Sequence, residues 1–226
     1  MWVSPSNPTG TVYTKEEAEI IFEWAFKNNI WIISDELYEH LVYEGEKTPS
    51  PAIYDPELKN TIVVNGVAKA YAMTGWRVGW IIANDEVISI AKKIQSHATS
   101  NVSNLSQIAA TSALQNGLEE TNIMKEAFNK RRISAFDVFN NIDNIKIAKP
   151  NGAFYLFPDI SYYCNNKIKN VSNSIEFCDW LLEEHYIAFI PGEVFGAEGY
   201  FRCSYALSEN ELSEGLKRFS EAVKDL

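Results

Sequence analysis

Cysteine, histidine and methionine are scarce, with three of each in 226 residues. Cys164, Cys178 and Cys203 are odd in number and widely spaced. None forms a Cys-x-x-Cys pair, and His40, His97 and His185 are equally scattered. A disulfide scaffold and a Cys/His metal site are therefore disfavoured, and a reducing compartment is expected. Positive charge is also short: 20 Lys and Arg against 30 Asp and Glu leave a net charge of −10. That argues against a general nucleic-acid binder, whose contact face is basic, but allows a local cationic pocket for a small anion. No apolar run approaches the roughly 20 residues of a membrane span. Residues 1–10 show no basic stretch followed by an apolar one, so no leader is expected and the chain reads as soluble and cytoplasmic. What is present is ordinary for a globular protein: 46% apolar residues, 22% charged residues, six Trp, eleven Tyr and twelve Phe. The length fits one large domain, or one and part of another.

Trp2-Val3 reads as a short strand running into the turn Ser4-Pro5-Ser6-Asn7-Pro8-Thr9-Gly10. Thr14-Lys15-Glu16-Glu17 is a capping box, and Ala18, Ile21, Phe22 and Ala25 follow at helical spacing, predicting an amphipathic helix over 14–29. Residues 30–33, 61–64 and 78–83 read as buried strands, with a Pro-rich loop over 47–56. Strand, helix and strand with continuous apolar strands imply an α/β fold around a mostly parallel sheet covered on both faces. Helices are predicted over 85–96, 102–115 and 119–140. Short strands near 145–147, 154–157, 187–190 and 200–204 then alternate with helices near 174–185 and 208–224. The expected division is a larger α/β domain over 1–118, then a linking helix and a small α+β domain over 119–226.

In open α/β sheets ligands bind beyond the carboxyl ends of the strands. Asn7 follows the first strand, Asp35 and Tyr38 the second, and Lys69 the third. Each has an ordinary alternative: Asn7 as a turn residue, Asp35 as a helix cap, Lys69 as a solvated lysine. Yet Lys69 sits between Gly66-Val67-Ala68 and Ala70-Tyr71-Ala72, too apolar for a common surface loop. A desolvated lysine there is a nucleophile toward carbonyls. Arg77, in Thr74-Gly75-Trp76-Arg77-Val78-Gly79, suits a phosphate, or packing on Trp76. Arg202 lies in an apolar strand and needs an anionic partner, either a structural carboxylate or one from a substrate.

Taken together, residues 4–10, 33–38, 65–79, 150–155, 191–196 and 201–206 resemble the motifs of the fold-type I, class I/II pyridoxal-phosphate aminotransferases, most nearly the bacterial aspartate aminotransferases. The resemblance spans the whole chain in six ordered motifs. It implies the large domain of a PLP transferase and its small C-terminal domain. It also implies pyridoxal 5'-phosphate as cofactor and amino-group transfer between an amino acid and a 2-oxo acid. By the same resemblance, Lys69 forms the Schiff base and shuttles the proton. Asp35 pairs with the pyridine nitrogen, Tyr38 and Asn7 bond the ring 3'-oxygen, Arg77 binds the phosphate, and Arg202 clamps the substrate carboxylate with Asn7 beside it. The family further implies a homodimer with shared active sites, and its Asn-Pro bond is often cis.

Two departures from the family pattern stand out. Ala68 occupies a position where a serine commonly bonds the phosphate, so weaker cofactor retention is expected. About the first half of the family chain, with its phosphate-cradling helix N-terminus, is absent from this sequence. The chain is accordingly expected to be a C-terminal portion that exposes sheet surface and is inactive alone. Another reaction on the same fold, such as β-elimination, and a non-catalytic protein derived from an aminotransferase are the alternatives. Residues 95–101 resemble the aspartate-type subgroup near the partner subunit's site, or form a plain interhelical loop.

Overall fold

The structure is a computed structural model that describes residues 1–165, 168–224 and 226. It divides into two compact units, Met1–Ser6 with Thr11–Lys125, and Asn7–Gly10 with Glu126–Leu226. The division falls inside a helix, α4 (Leu118–Asn140).

The first unit is built on a four-stranded sheet in the order β1 (Trp2–Val3), β2 (Ile32–Asp35), β3 (Thr61–Gly66) and β4 (Gly79–Ile82). β1–β2 and β2–β3 are parallel, whereas β3–β4 is antiparallel. The sheet is thus mostly parallel, as expected, with one antiparallel pairing at β4. Residues 67–78, which include one short helical turn at Thr74–Trp76, return the chain to the same end of the sheet, where Gly66 pairs with Gly79.

Helix α1 (Lys15–Lys27) begins at the Thr14–Glu17 capping box and packs Ala18, Phe22 and Ala25 on Ile32 of β2, with Trp2 and Tyr54 beside them. Its end explains why β2 starts two residues later than its apolar run. Asn29 adopts φ +52°, its amide bonds Phe26 O, and the Ile30 amide bonds Ala25 O, so Ile30 belongs to the helix cap. One face of the sheet carries the exposed surface that a C-terminal portion is expected to show. Ile33 and Ile81, which share a face by register through β3, remain 42% and 36% exposed. Two further helices, α2 (Asp85–Ala98) and α3 (Asn104–Asn116), follow β4.

The second unit is α+β. Its three-stranded antiparallel sheet runs β5 (Tyr155–Leu156), β7 (Phe201–Ser204), β6 (Ile190–Pro191). Helices α5 (Ser174–His185) and α6 (Glu209–Val223) accompany it. The predicted strand at 145–147 is reduced to a single bridge, Lys146 to Asp159. The core is aromatic: Phe139, Phe177, Phe201 and Phe219 are fully buried, and Phe189 stacks on Phe201 at 4.3 Å between ring centroids. Among the described residues no helix is long and apolar enough to cross a membrane.

Candidate active site

In the first unit, three sheet elements end at one edge. Register pairs Val3 with Asp35 and Asp35 with Val64, so the carboxyl ends of β1, β2 and β3 lie side by side. Because β4 runs the other way, its beginning joins that edge: Gly66 faces Gly79. The antiparallel pairing of β4 is thus what brings Arg77, two residues before β4, to the edge bearing Asp35.

Asp35 is the last residue of β2 and accepts the Leu37 amide at 3.1 Å. Tyr38, three residues on, is 5% exposed. Lys69 lies in the turn after β3, half-buried, with Nζ 5.8 Å from the centroid of the Tyr38 ring. The lysine predicted among small residues is thus set against an aromatic wall. Arg77 has φ +57°, is exposed, and donates from Nη1 to Thr74 O at 3.0 Å.

A polar cluster that the sequence reading did not single out braces this edge. Glu39 accepts hydrogen bonds from Lys47 and from the Asn65 side-chain amide, and His40 Nε2 lies 3.8 Å from its Oε1. Asn65 Oδ1 in turn accepts the Gly66 amide at 2.7 Å. Burial, and then the Glu39 carboxylate, push the Tyr71 phenol above its ordinary range.

The second unit carries Asn7 and Arg202. Arg202 Nη1 donates to Asn7 Oδ1 at 2.9 Å. The guanidinium carbon lies 4.5 Å from the Tyr155 ring centroid and 5.1 Å from that of Phe195. Nε is buried and has no hydrogen-bond partner among the described residues. Two aromatic faces and a neutral amide therefore contact this cation, and a guanidinium with a buried, unmet N–H suits a carboxylate. Of the two readings left open for Arg202, the one with a structural carboxylate has no such contact among the described residues.

Asn7 is held by a clasp. Gly10 O accepts the amides of Asn151 and Gly152 at 3.0 and 2.9 Å. A Cβ on Gly10, at φ +69°, would meet the Pro150 Cβ at 2.4 Å, so only glycine fits there. Arg132, fully buried, donates from Nη1 to Pro150 O at 2.6 Å and from Nε to Asn129 Oδ1 at 3.0 Å. Both the Ser4-Pro5 and the Asn7-Pro8 bonds are cis. Glu193, two residues before Phe195, accepts the Ser174 amide and hydroxyl at the start of α5. Tyr155 and Phe195 stood inside quoted motifs, so a signal existed. Arg132, in Lys130-Arg131-Arg132 on a helix, looks like a solvated charge run and gave none.

The structure thus brings Asp35, Tyr38, Lys69 and Arg77 to one sheet edge, and Asn7 to Arg202. Among the described residues no group of three His, Cys, Asp or Glu is placed to hold a metal ion.

Comparison with known proteins adds the following. The family model for aminotransferase class I and II matches residues 1–219. An aspartate aminotransferase of Streptomyces avermitilis is 45% identical over 100% of this chain and 56% of its own length. An asparagine–oxo-acid transaminase of Streptococcus mutans is 40% identical over 95% of the chain and 54% of its own length. The aspartate aminotransferase of Rhizobium meliloti superposes with a TM-score of 0.89 at 38% identity, covering 99% of this chain and 57% of that one. The aromatic aminotransferase of Pyrococcus horikoshii OT3 does so with 0.90 at 34% identity, covering 99% and 59%. The chain spans about half the length of the curated relatives it matches.

Proposed function

The chain belongs to the class I and II aminotransferase family, and from that premise we propose that it serves pyridoxal 5'-phosphate-dependent transfer of an amino group between an amino acid, aspartate or a close relative, and a 2-oxo acid. The observation that carries this reading is the Asp35–Val64 pairing, which sets a carboxylate beside the strand whose following turn bears Lys69. The relatives named for aspartate and asparagine support the substrate class.

The donor set fits the cofactor. A carboxylate, a phenol, a primary amine and a guanidinium share one sheet edge, matching a pyridine nitrogen, a ring hydroxyl, an aldehyde and a phosphate. Ala68 supplies no hydroxyl, which predicts looser retention of the phosphate. Bound there, pyridoxal phosphate supplies an aldehyde that captures amines and a ring that accepts an electron pair.

The chain's own residues do the rest. Lys69 would hold the cofactor through its aldehyde and, with its amine free, would take the proton from the substrate Cα. Asp35 would keep the pyridine nitrogen protonated, Tyr38 and the Asn7 amide would hydrogen-bond the ring hydroxyl, and Arg77 would hold the phosphate. Arg202, pinned between Tyr155 and Phe195, takes the substrate carboxylate through two N–H groups.

The same reading carries a cytoplasmic homodimer. Support comes from three unbridged, buried thiols and from α2, which buries no residue and leaves Ile90 and Ile94 more than half exposed for a partner subunit to cover. The test is an absorbance titration with pyridoxal phosphate, followed by borohydride reduction and peptide mapping. Wild type gains a visible band and a label on Lys69, and Lys69→Ala gains neither. A label distributed over surface lysines overturns the reading.

A further inference from the structure

The turn that carries Lys69 is not held in place by its own backbone. The backbone bonds given for it lie at the long end of the ordinary range: Val67 N to Val78 O at 3.3 Å, Ala72 N to Lys69 O at 3.2 Å, and Trp76 N to Met73 O at 3.2 Å. Two of its non-glycine residues, Ala72 and Arg77, have left-handed backbones with φ +52° and +57°. A left-handed alanine or arginine is strained and persists only where the surroundings over-determine it. Something outside the turn must supply that restraint.

The junction of α3 and α4 does so. The Thr121 hydroxyl is buried and lies 2.9 Å from Ala70 O, the carbonyl directly after Lys69, and 2.9 Å from Gly117 O in its own helix. A helical threonine is ordinarily satisfied by its own i−4 carbonyl. Here one proton is shared with a carbonyl 51 residues earlier in the chain. Gly117 completes the seat: a Cβ there would stand 3.1 Å from the Tyr71 ring, so the ring lies against bare backbone. Packing alone does not lock the contact, because a cleft of about 260 Å³ runs along it, lined by Ala70, Tyr71, Gly117, Thr121 and Met124. The hydrogen bond is directional and the cleft is not, so the bond sets where the turn sits.

We propose that Thr121 is a positioning residue for Lys69, its hydroxyl fixing the turn so that the amine faces the Tyr38 ring. The role rests on the function proposed above. Thr121 touches neither substrate nor cofactor and acts through the Ala70 carbonyl.

The test compares Thr121→Val, which keeps the shape and deletes the donor, with Thr121→Ser, which keeps the donor. Hydrogen exchange of the peptide spanning residues 66–77 reads the seat without cofactor. Borohydride-trapped labelling of Lys69 by pyridoxal phosphate reads the amine. Thr121→Val is expected to speed exchange in that peptide and slow labelling by about tenfold, the effect of one unmet buried carbonyl. Thr121→Ser is expected to restore both to within about twofold. If Thr121→Val does not fold, Thr121→Ala against Thr121→Ser carries the same comparison. Labelled wild type with unchanged exchange and labelling in Thr121→Val, or no rescue by serine, overturns the role of Thr121 and leaves the function standing. A wild type that never labels at Lys69 overturns the functional reading, and with it the role.

Discussion

Arg202 reaches Asn7 across 195 positions of sequence, donating from Nη1 to the side-chain oxygen at 2.9 Å, while its Nε stays buried without a partner. The contact satisfies the amide of a loop residue and leaves part of the guanidinium unmet. On the proposed function, that unmet N–H between aromatic walls is where the substrate carboxylate docks. Its geometry is fixed beforehand by Tyr155 and Phe195, so little ordering is left to be done on binding.

Arg202→Lys is therefore expected to weaken binding of a non-reacting carboxylate analogue of the substrate by about 10–100-fold, since a lysine offers a point charge in place of a planar fork. Phe195→Leu should weaken it less, by loosening the guanidinium and not removing it. Calorimetric titration decides the matter, and unchanged affinity in Arg202→Lys defeats the assignment.

Arg132 is the second prediction. Fully buried, it props Pro150 O, and the following two amides clasp Gly10 O, which ends the loop containing Asn7. Arg132→Ala leaves that carbonyl unmet and empties the volume of a long side chain. A loss of about 2–4 kcal/mol in urea unfolding is expected. Crosspeaks of residues 7–10 should broaden in NMR spectra more than those of α6, which lies outside the clasp.

How far these features could be read from the sequence depends on whether their signal was local. The cap at Thr14, the helices and the apolar strands were legible because each is written in consecutive residues at a fixed period. The positions of Asp35 and Lys69 after their strands were legible because an apolar run marks its own end. The direction of β4 was not, since an apolar run reads the same whichever way it pairs. Arg132 and Thr121 stayed hidden for a related reason. Their importance lies in a bond to a backbone carbonyl far away in sequence, Pro150 O and Ala70 O, and a carbonyl has no letter in the sequence.

Asp55 gives an acid-side prediction. Burial would raise its carboxyl, but the amides of Asn60 and Lys59 and the Thr61 hydroxyl, at 2.8, 3.0 and 2.9 Å, outweigh burial and hold it below the ordinary 3.8. A carboxyl lowered by folding contributes stability above its unfolded value and loses it as pH falls through the folded one. Asp55→Ala should cost roughly 1–2 kcal/mol at neutral pH. It should also flatten the wild type's decline in urea midpoint below about pH 4. An identical acid slope in both proteins counts against the Asp55 network.

The three thiols predict the opposite behaviour at the alkaline end. Burial pushes Cys203 up to about 12 from an ordinary 9.0. Burial, and then the Glu193 carboxylate, do the same for Cys164 and Cys178. A thiol raised by folding stays protonated in the native state while the unfolded chain ionises. Its contribution is complete below pH 9 and is lost as pH climbs toward 12. Between those limits each thiol steepens the fall of stability by up to about 1.4 kcal/mol per pH unit. Cys203→Ala changes the level through a small cavity, but the slope is the diagnostic quantity. Urea midpoints taken at about pH 8 and about pH 10.5 should differ less in Cys203→Ala than in wild type. An aromatic disulfide reagent at about pH 8 should modify none of the three until urea unfolds the chain, because the native thiols are both buried and un-ionised. Rapid modification of the folded protein would place at least one sulfur at the surface and remove the alkaline argument for it.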